Sequence, residues 1–225
     1  AGAAAPAVEV TDGGVPILEP PCFVLLHSLS KRHNGTAVIR SSVALGVRTI
    51  VMAGSDKFTT FGCHGSDAYM DFKHFPRLET AVTWLKEEHG CEIVGIEICD
   101  GARSLASAPF KGPTAFLVGN EGHGLTPEEM ALCDWFVYIP QHGFGTASLN
   151  VAVATSIVLH SFAQWARYPE APREGYKYVL GPRPRRTATK GQVASQSPAE
   201  KAAERAAARE AGAEDVTIDT DLFDD

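Results

Sequence analysis

The sequence predicts an α/β fold with a mainly parallel sheet and helices on both faces, and three observations carry that prediction. Short apolar runs alternate along the chain with segments of helical periodicity. Those runs are too uniformly apolar for a sheet with one wet face and suit strands covered on both sides. Several helix ends also carry their own punctuation of glycine, proline and capping residues.

Taken in order, Cys22–His27 (CFVLLH) reads as the first strand. A helix follows over Asn34–Leu45, with Asn34 placed to cap it and Gly46 to end it in a left-handed turn. Arg48–Met52 is the next strand and Leu78–His89 the next helix, closed by Gly90. Strands are expected at Glu92–Ile98 and Ala115–Val118. Thr126-Pro127-Glu128-Glu129 then supplies an N-cap, a first-position proline and a capping-box glutamate for a helix to Cys133. Trp135–Ile139 is the last strand. A long helix runs from about Leu149 to Arg167, with Ser148 as its expected cap and Asn150 in its first turn. Phe162 and Trp165, three residues apart, suit a subunit interface or the core equally.

Composition sets the limits. The chain has 225 residues, 44% hydrophobic and 21% charged, enough for one packed domain with extensions. Residues 1–20 read as a flexible arm and 21–167 as the body, which holds all three Trp and ten of the eleven Phe. Residues 168–225 turn to Pro, Arg, Ala and acids and read as a charged, largely disordered tail. No apolar run is long enough to span a membrane. Five scattered cysteines without a C-x-x-C pair fit a reducing compartment, cytoplasmic or organellar, and with eight dispersed histidines they argue against a metal site. The net charge of −7 argues against a surface coated for non-specific nucleic-acid binding, so any RNA surface must be local.

Three segments at strand or helix ends stand apart. The first is His33-Asn34-Gly35-Thr36-Ala37-Val38-Ile39-Arg40, with a lone arginine in a helix of small and apolar residues. The second is Phe116-Leu-Val-Gly119-Asn-Glu121-Gly-His-Gly124-Leu125, three glycines in six residues around one carboxylate. Its spacing matches neither the dinucleotide fingerprint nor a P-loop. The third is Ile139-Pro140-Gln-His-Gly143-Phe-Gly145-Thr-Ala-Ser148-Leu149-Asn150, entering a helix of small residues.

In this order, N-(x5)-R, G-N-E-G-x-G-L and I-P-(x7)-S-L-N-V-A-V-A resemble the three motifs of the SpoU family, the RNA ribose 2′-O-methyltransferases of the SPOUT superfamily. The resemblance covers roughly residues 22–166. It implies an α/β sheet whose C-terminal part forms a trefoil knot, with S-adenosylmethionine as methyl donor, no metal, and tRNA or rRNA as substrate. It implies cofactor contacts at Leu117, Gly119, Ile139, Gln141, Ser148 and Leu149. Arg40, Asn34, Glu121, Ser148 and Asn150 take the catalytic positions, Arg40 approaching the 2′-hydroxyl and the others orienting it and the substrate. A dimer of identical or paralogous chains, or a ribonucleoprotein partner, is implied as well. Lys31, Arg32, His33 and Arg48, with Arg183, Arg185 and Arg186 in the tail, are the candidates for phosphate contact. The competing expectation is a catalytically weak SPOUT protein that serves as an RNA-binding assembly factor.

Overall fold

A computed structural model describes residues 18–54 and 65–181. The N-terminal arm up to residue 17, Cys63 and the tail from residue 182, with Arg183, Arg185 and Arg186, lie outside the described residues.

Seven strands form one sheet: β1 (Cys22–Leu26), β2 (Thr49–Ala53), β3 (Asp71–Phe75), β4 (Glu92–Ile96), β5 (Arg103–Ser104), β6 (Thr114–Val118) and β7 (Trp135–Tyr138). Their spatial order is β3-β2-β1-β6-β4-β7-β5 and every pairing is parallel. The most apolar runs take the centre, and every residue of β1 and β6 is buried. That is the pattern of strands covered on both faces.

Helices α1 (Arg32–Ala44), α2 (Leu78–His89), α3 (Pro127–Ala131) and α4 (Val151–Trp165) supply the cover. Val38 and Ile39 of α1 pack with Val158, Leu159 and Phe162 of α4 against one face. Leu78, Ala81, Val82 and Leu85 of α2 cover the other, joined by Met130 of α3. Phe162 is fully buried in the core, and the half-buried Trp165 packs against it at 5.3 Å between centroids.

Local punctuation reads as expected at three ends. Gly46 and Gly90 have φ of 77° and 62°, and Val47 N–H reaches back to Ser42 O at 3.0 Å. The capping box at Thr126 is complete. Other elements differ from the sequence reading. β3 is an edge strand whose charges hide its alternation, and β5 is only two residues long. Helix α1 starts two residues before Asn34, at Arg32, and α4 starts at Val151 with Asn150, not Ser148, as its cap.

Beyond α4, Tyr168 packs against the core and its hydroxyl donates to Pro20 O at 2.6 Å. A small antiparallel hairpin follows, β8 (Arg173–Glu174) with β9 (Lys177–Tyr178). Among the described residues no helix is long and apolar enough to cross a membrane.

Candidate active site

From β1 the chain builds outward to β2 and β3, whereas β6 borders the half that holds β4, β7 and β5. The sheet therefore changes direction between β1 and β6, where open α/β sheets form a crevice beyond the carboxyl ends of their strands. The loops after these two strands leave the sheet side by side.

The loop after β6 is tied to itself. Asn120 N–H donates to Gly124 O at 2.9 Å, and Gly124 N–H returns to Asn120 O at 3.0 Å. The Asn120 side chain accepts from Gly122 N–H and donates to Ser28 O, both at 2.8 Å, which fastens the loop to the segment after β1. A Cβ on Gly119 would lie 2.7 Å from Gly124 C and 2.9 Å from Leu125 N, so the fold demands glycine there. Glu97, at the end of β4, accepts from Leu125 N–H at 2.9 Å and packs against Gly124, holding the other end of the loop.

Glu121 projects from this loop to the start of α1. Its Oε2 accepts from Ser30 N–H at 3.1 Å and Ser30 Oγ at 3.0 Å. Its Oε1 accepts from Lys31 N–H at 2.8 Å and Asn34 Nδ2 at 3.0 Å. No side chain local to α1 caps it, and this distant carboxylate lies at its positive end instead. Partial burial alone would raise the Glu121 pKa. The hydrogen bonds from Asn34, Lys31 and Ser30 outweigh it and hold the carboxyl at about 2.

Asn34 extends the connection. Its Oδ1 accepts from Asn150 Nδ2 at 3.1 Å, and Asn150 Oδ1 accepts from Ala152 and Val153 N–H at 2.9 and 3.3 Å. One side of this relay ends on α1, the other on α4. The expected cap role of Asn34 is thus corrected: it lies inside α1, 2% exposed, and links two other groups. Ser148 is also corrected as a cap; it lies exposed, its N–H on Thr146 Oγ1 at 3.4 Å. Glu121, with hydrogen bonds on both oxygens, is placed to hold the helix start.

The other expected residues fall in different places. Arg40 is exposed, about 9 Å along α1 from Asn34 and about 120° round it, outside the relay. Leu117 is fully buried within β6. Gly119 sits in the tied loop, while Ile139, Gln141 and Leu149 are half-buried in the segment joining β7 to α4. Lys31 and His33 are exposed at the start of α1, and Arg32 is that helix's first residue. Arg48 lies before β2, at the amino ends of the strands, and pairs with Glu19 at 2.7 Å, which removes it from the site.

Sequence reasoning passed over Ser30, Glu97, Asn120 and His27, and read Glu129 only as a capping-box residue. His27 Nδ1 lies 2.7 Å from Oε1 of the buried Glu129, whose Oε2 accepts from Thr126 N–H at 2.8 Å. Burial opposes ionisation of Glu129, yet the bonds from His27 and Thr126 hold its pKa below the ordinary value. An acid at a strand end and an asparagine between Gly119 and Glu121 were the available signals. Near the β7–α4 segment a cavity of about 610 Å³ is lined by Ser104, Leu105, Ala106, Tyr138, Pro140, His142 and Ser161. Among the described residues no three His, Cys, Asp or Glu side chains converge as metal ligands.

The chain is similar to known proteins in sequence and in fold. The sequence pattern of the SpoU rRNA Methylase family matches residues 21–160. The tRNA (guanosine(18)-2′-O)-methyltransferase of Escherichia coli strain K12 is 32% identical over 145 residues, covering 63% of this chain and 62% of that protein. The enzyme of the same description from Thermus thermophilus is 31% identical over 170 residues, covering 74% of this chain and 82% of that one. Among solved structures, the SpoU methyltransferase AviRb from Streptomyces viridochromogenes in complex with the cofactor AdoMet superposes with a TM-score of 0.59. It is 26% identical and covers 67% of this chain and 62% of that one. The chain thus spans less than two thirds of the E. coli relative's length.

Proposed function

Because the chain belongs to the SpoU rRNA Methylase family, we propose that it transfers a methyl group from S-adenosylmethionine to a ribose 2′-hydroxyl of tRNA or rRNA. The observation that carries this reading is the relay Glu121–Asn34–Asn150, which joins all three motif segments at the point where the sheet changes direction. Similarity to two tRNA 2′-O-methyltransferases and to an AdoMet-bound structure supports it.

The residues present fit the cofactor. The loop after β6 leaves no room for a Cβ at Gly119 and is fastened by Asn120 and Glu97, which suits a ligand gripped by fixed main-chain groups. Gly119, Ile139, Gln141, Ser148 and Leu149 would hold it largely through main-chain groups, with Leu117 supporting them from the core. When bound, the cofactor supplies a methyl group already activated by a sulfonium.

The chain's own part is orientation and charge. Glu121 and Asn150 set the starts of α1 and α4, and Asn34 locks the two together. Glu121 has its lone pairs engaged, so it is not the base that takes the hydroxyl proton. Arg40 and Ser148 remain free to meet RNA. Arg40 stabilises the oxygen as its proton passes to solvent water, or the neighbouring phosphate, electrostatically.

Arg40 is exposed and takes no part in the relay of its own chain, and Val153 and Ile157 leave α4 with 48% and 38% exposure one turn apart. Both features support a dimer in which Arg40 serves the second copy's site, with α4 in the interface. The same reading includes the trefoil knot: α4 begins at a residue tied, through Asn34, to the loop after β6. Lys31, Arg32 and the tail arginines Arg183, Arg185 and Arg186 would hold phosphate, the tail serving the body as a charged appendage.

The test is to incubate the protein with methyl-labelled S-adenosylmethionine and total tRNA or rRNA, then map ribose methylation. Label on a ribose 2′-oxygen is expected. Label on a base, or none, overturns the reading; cofactor binding without transfer would point to an assembly factor.

A further inference from the structure

Phe144 carries its ring fully in solvent. It stands in the segment between Ile139 and Asn150, which also holds Ser148 and Leu149. Leaving a Phe side chain in water forgoes about 2 kcal/mol of burial, so an aromatic held out at a motif loop asks for a reason.

Two features of its surroundings bear on what covers it. Gly143 and Gly145 flank the ring; neither has a left-handed φ, and a Cβ on either would meet nothing within 4 Å. Neither turn geometry nor packing within the chain therefore explains glycine on both sides. Glycine there lets a bulky flat group come against the backbone beside the ring. The neighbours are also hydrogen-bonding groups: Gln141, His142, Thr146 and Ser148, the last three exposed. An apolar protein surface laid over Phe144 would strip water from these groups without replacing it. A nucleobase offers a π-face to the ring and donors and acceptors to its neighbours.

We propose that Phe144 is a stacking platform for an unstacked base of the RNA, at or beside the nucleotide whose ribose is methylated. This rests on the methyltransferase reading above. A ribose hydroxyl attacks a methyl group in line only when its sugar is held in one orientation, and a clamped base supplies that restraint. Stacking tolerates any base, so the ring sets position and the polar neighbours set preference.

Two measurements test this on the full chain: methyl transfer to an RNA that the wild-type protein modifies, and fluorescence of a single-stranded RNA oligonucleotide containing 2-aminopurine. Phe144→Ala is expected to raise KM for RNA about 10-fold and to abolish the fluorescence change on binding. Its affinity for S-adenosylmethionine and its oligomeric mass should stay as in the wild type, and Phe144→Tyr should restore both RNA readouts. An unchanged KM and fluorescence response overturn the platform. A loss of cofactor affinity places the ring on the cofactor, and a change of mass places it on a second copy; either overturns it too. If the wild-type protein methylates no ribose, the enzyme reading has failed. The fluorescence measurement needs no turnover and still judges the platform.

Discussion

Glu121 and Asn34 stand 87 residues apart in the chain and meet at 3.0 Å, the carboxylate of one accepting from the amide of the other. The contact lets a loop of the sheet finish a helix that carries no cap of its own. Glu121→Gln replaces one acceptor oxygen by an amide that faces N–H donors. It should lower stability by about 1–3 kcal/mol and reduce methyl transfer at least tenfold, read by thermal melts and by initial rates. An unchanged melt would show that the carboxylate does not hold α1.

The same carboxylate sets an acid limit. Its pKa is held at about 2, below its ordinary 4.5, so its contribution is whole above about pH 4.5 and disappears as the pH falls toward 2. Glu129, also lowered, acts in the same direction. The melting temperature should fall steeply over that window, and Glu121→Gln should flatten the fall.

Gly119→Ala drives a methyl into the backbone of Gly124 and Leu125. The loop must open, at a cost of about 1–3 kcal/mol, and cofactor affinity measured by calorimetry should fall with it. Gly143→Ala, which meets nothing, should leave the melt unchanged.

Asn150→Ala removes the cap of α4 and leaves Asn34 Oδ1 without its donor, costing about 1–2 kcal/mol. Ser148→Ala should cost less than about 0.5 kcal/mol while lowering transfer. Equal destabilisation by both would return the cap to Ser148.

Arg40→Ala should abolish methyl transfer while leaving cofactor binding and the melt close to wild type, because the side chain is exposed and outside the relay. Parallel loss of binding and transfer would remove Arg40 from the chemistry.

What the sequence disclosed was whatever depends on neighbours in the chain. Gly46, Gly90 and the Thr126–Glu129 box work within a few residues, and all three form as read. The buried strands were equally plain, because β1 and β6 are apolar throughout. What stayed hidden depends on contacts between distant segments. Asn34 looked like a cap because the true partner of the α1 terminus arrives from Glu121. Glu97 and Asn120 fasten a loop whose closure only the folded sheet defines. β3 escaped because an edge strand keeps one side in water and can carry Asp71, Lys73 and His74.

The strand order also dictates something about birth on the ribosome. β6 lies between β1 and β4 although it is synthesised after both. Until Thr114–Val118 emerges, the finished strands on either side cannot meet, and each shows a bare hydrogen-bonding edge to whatever other chains are nearby. The exposure outlasts Val118, because β7 (Trp135–Tyr138) lies between β4 and β5 and is made after both. The nascent chain therefore stays open to strand-edge association until that segment has also emerged.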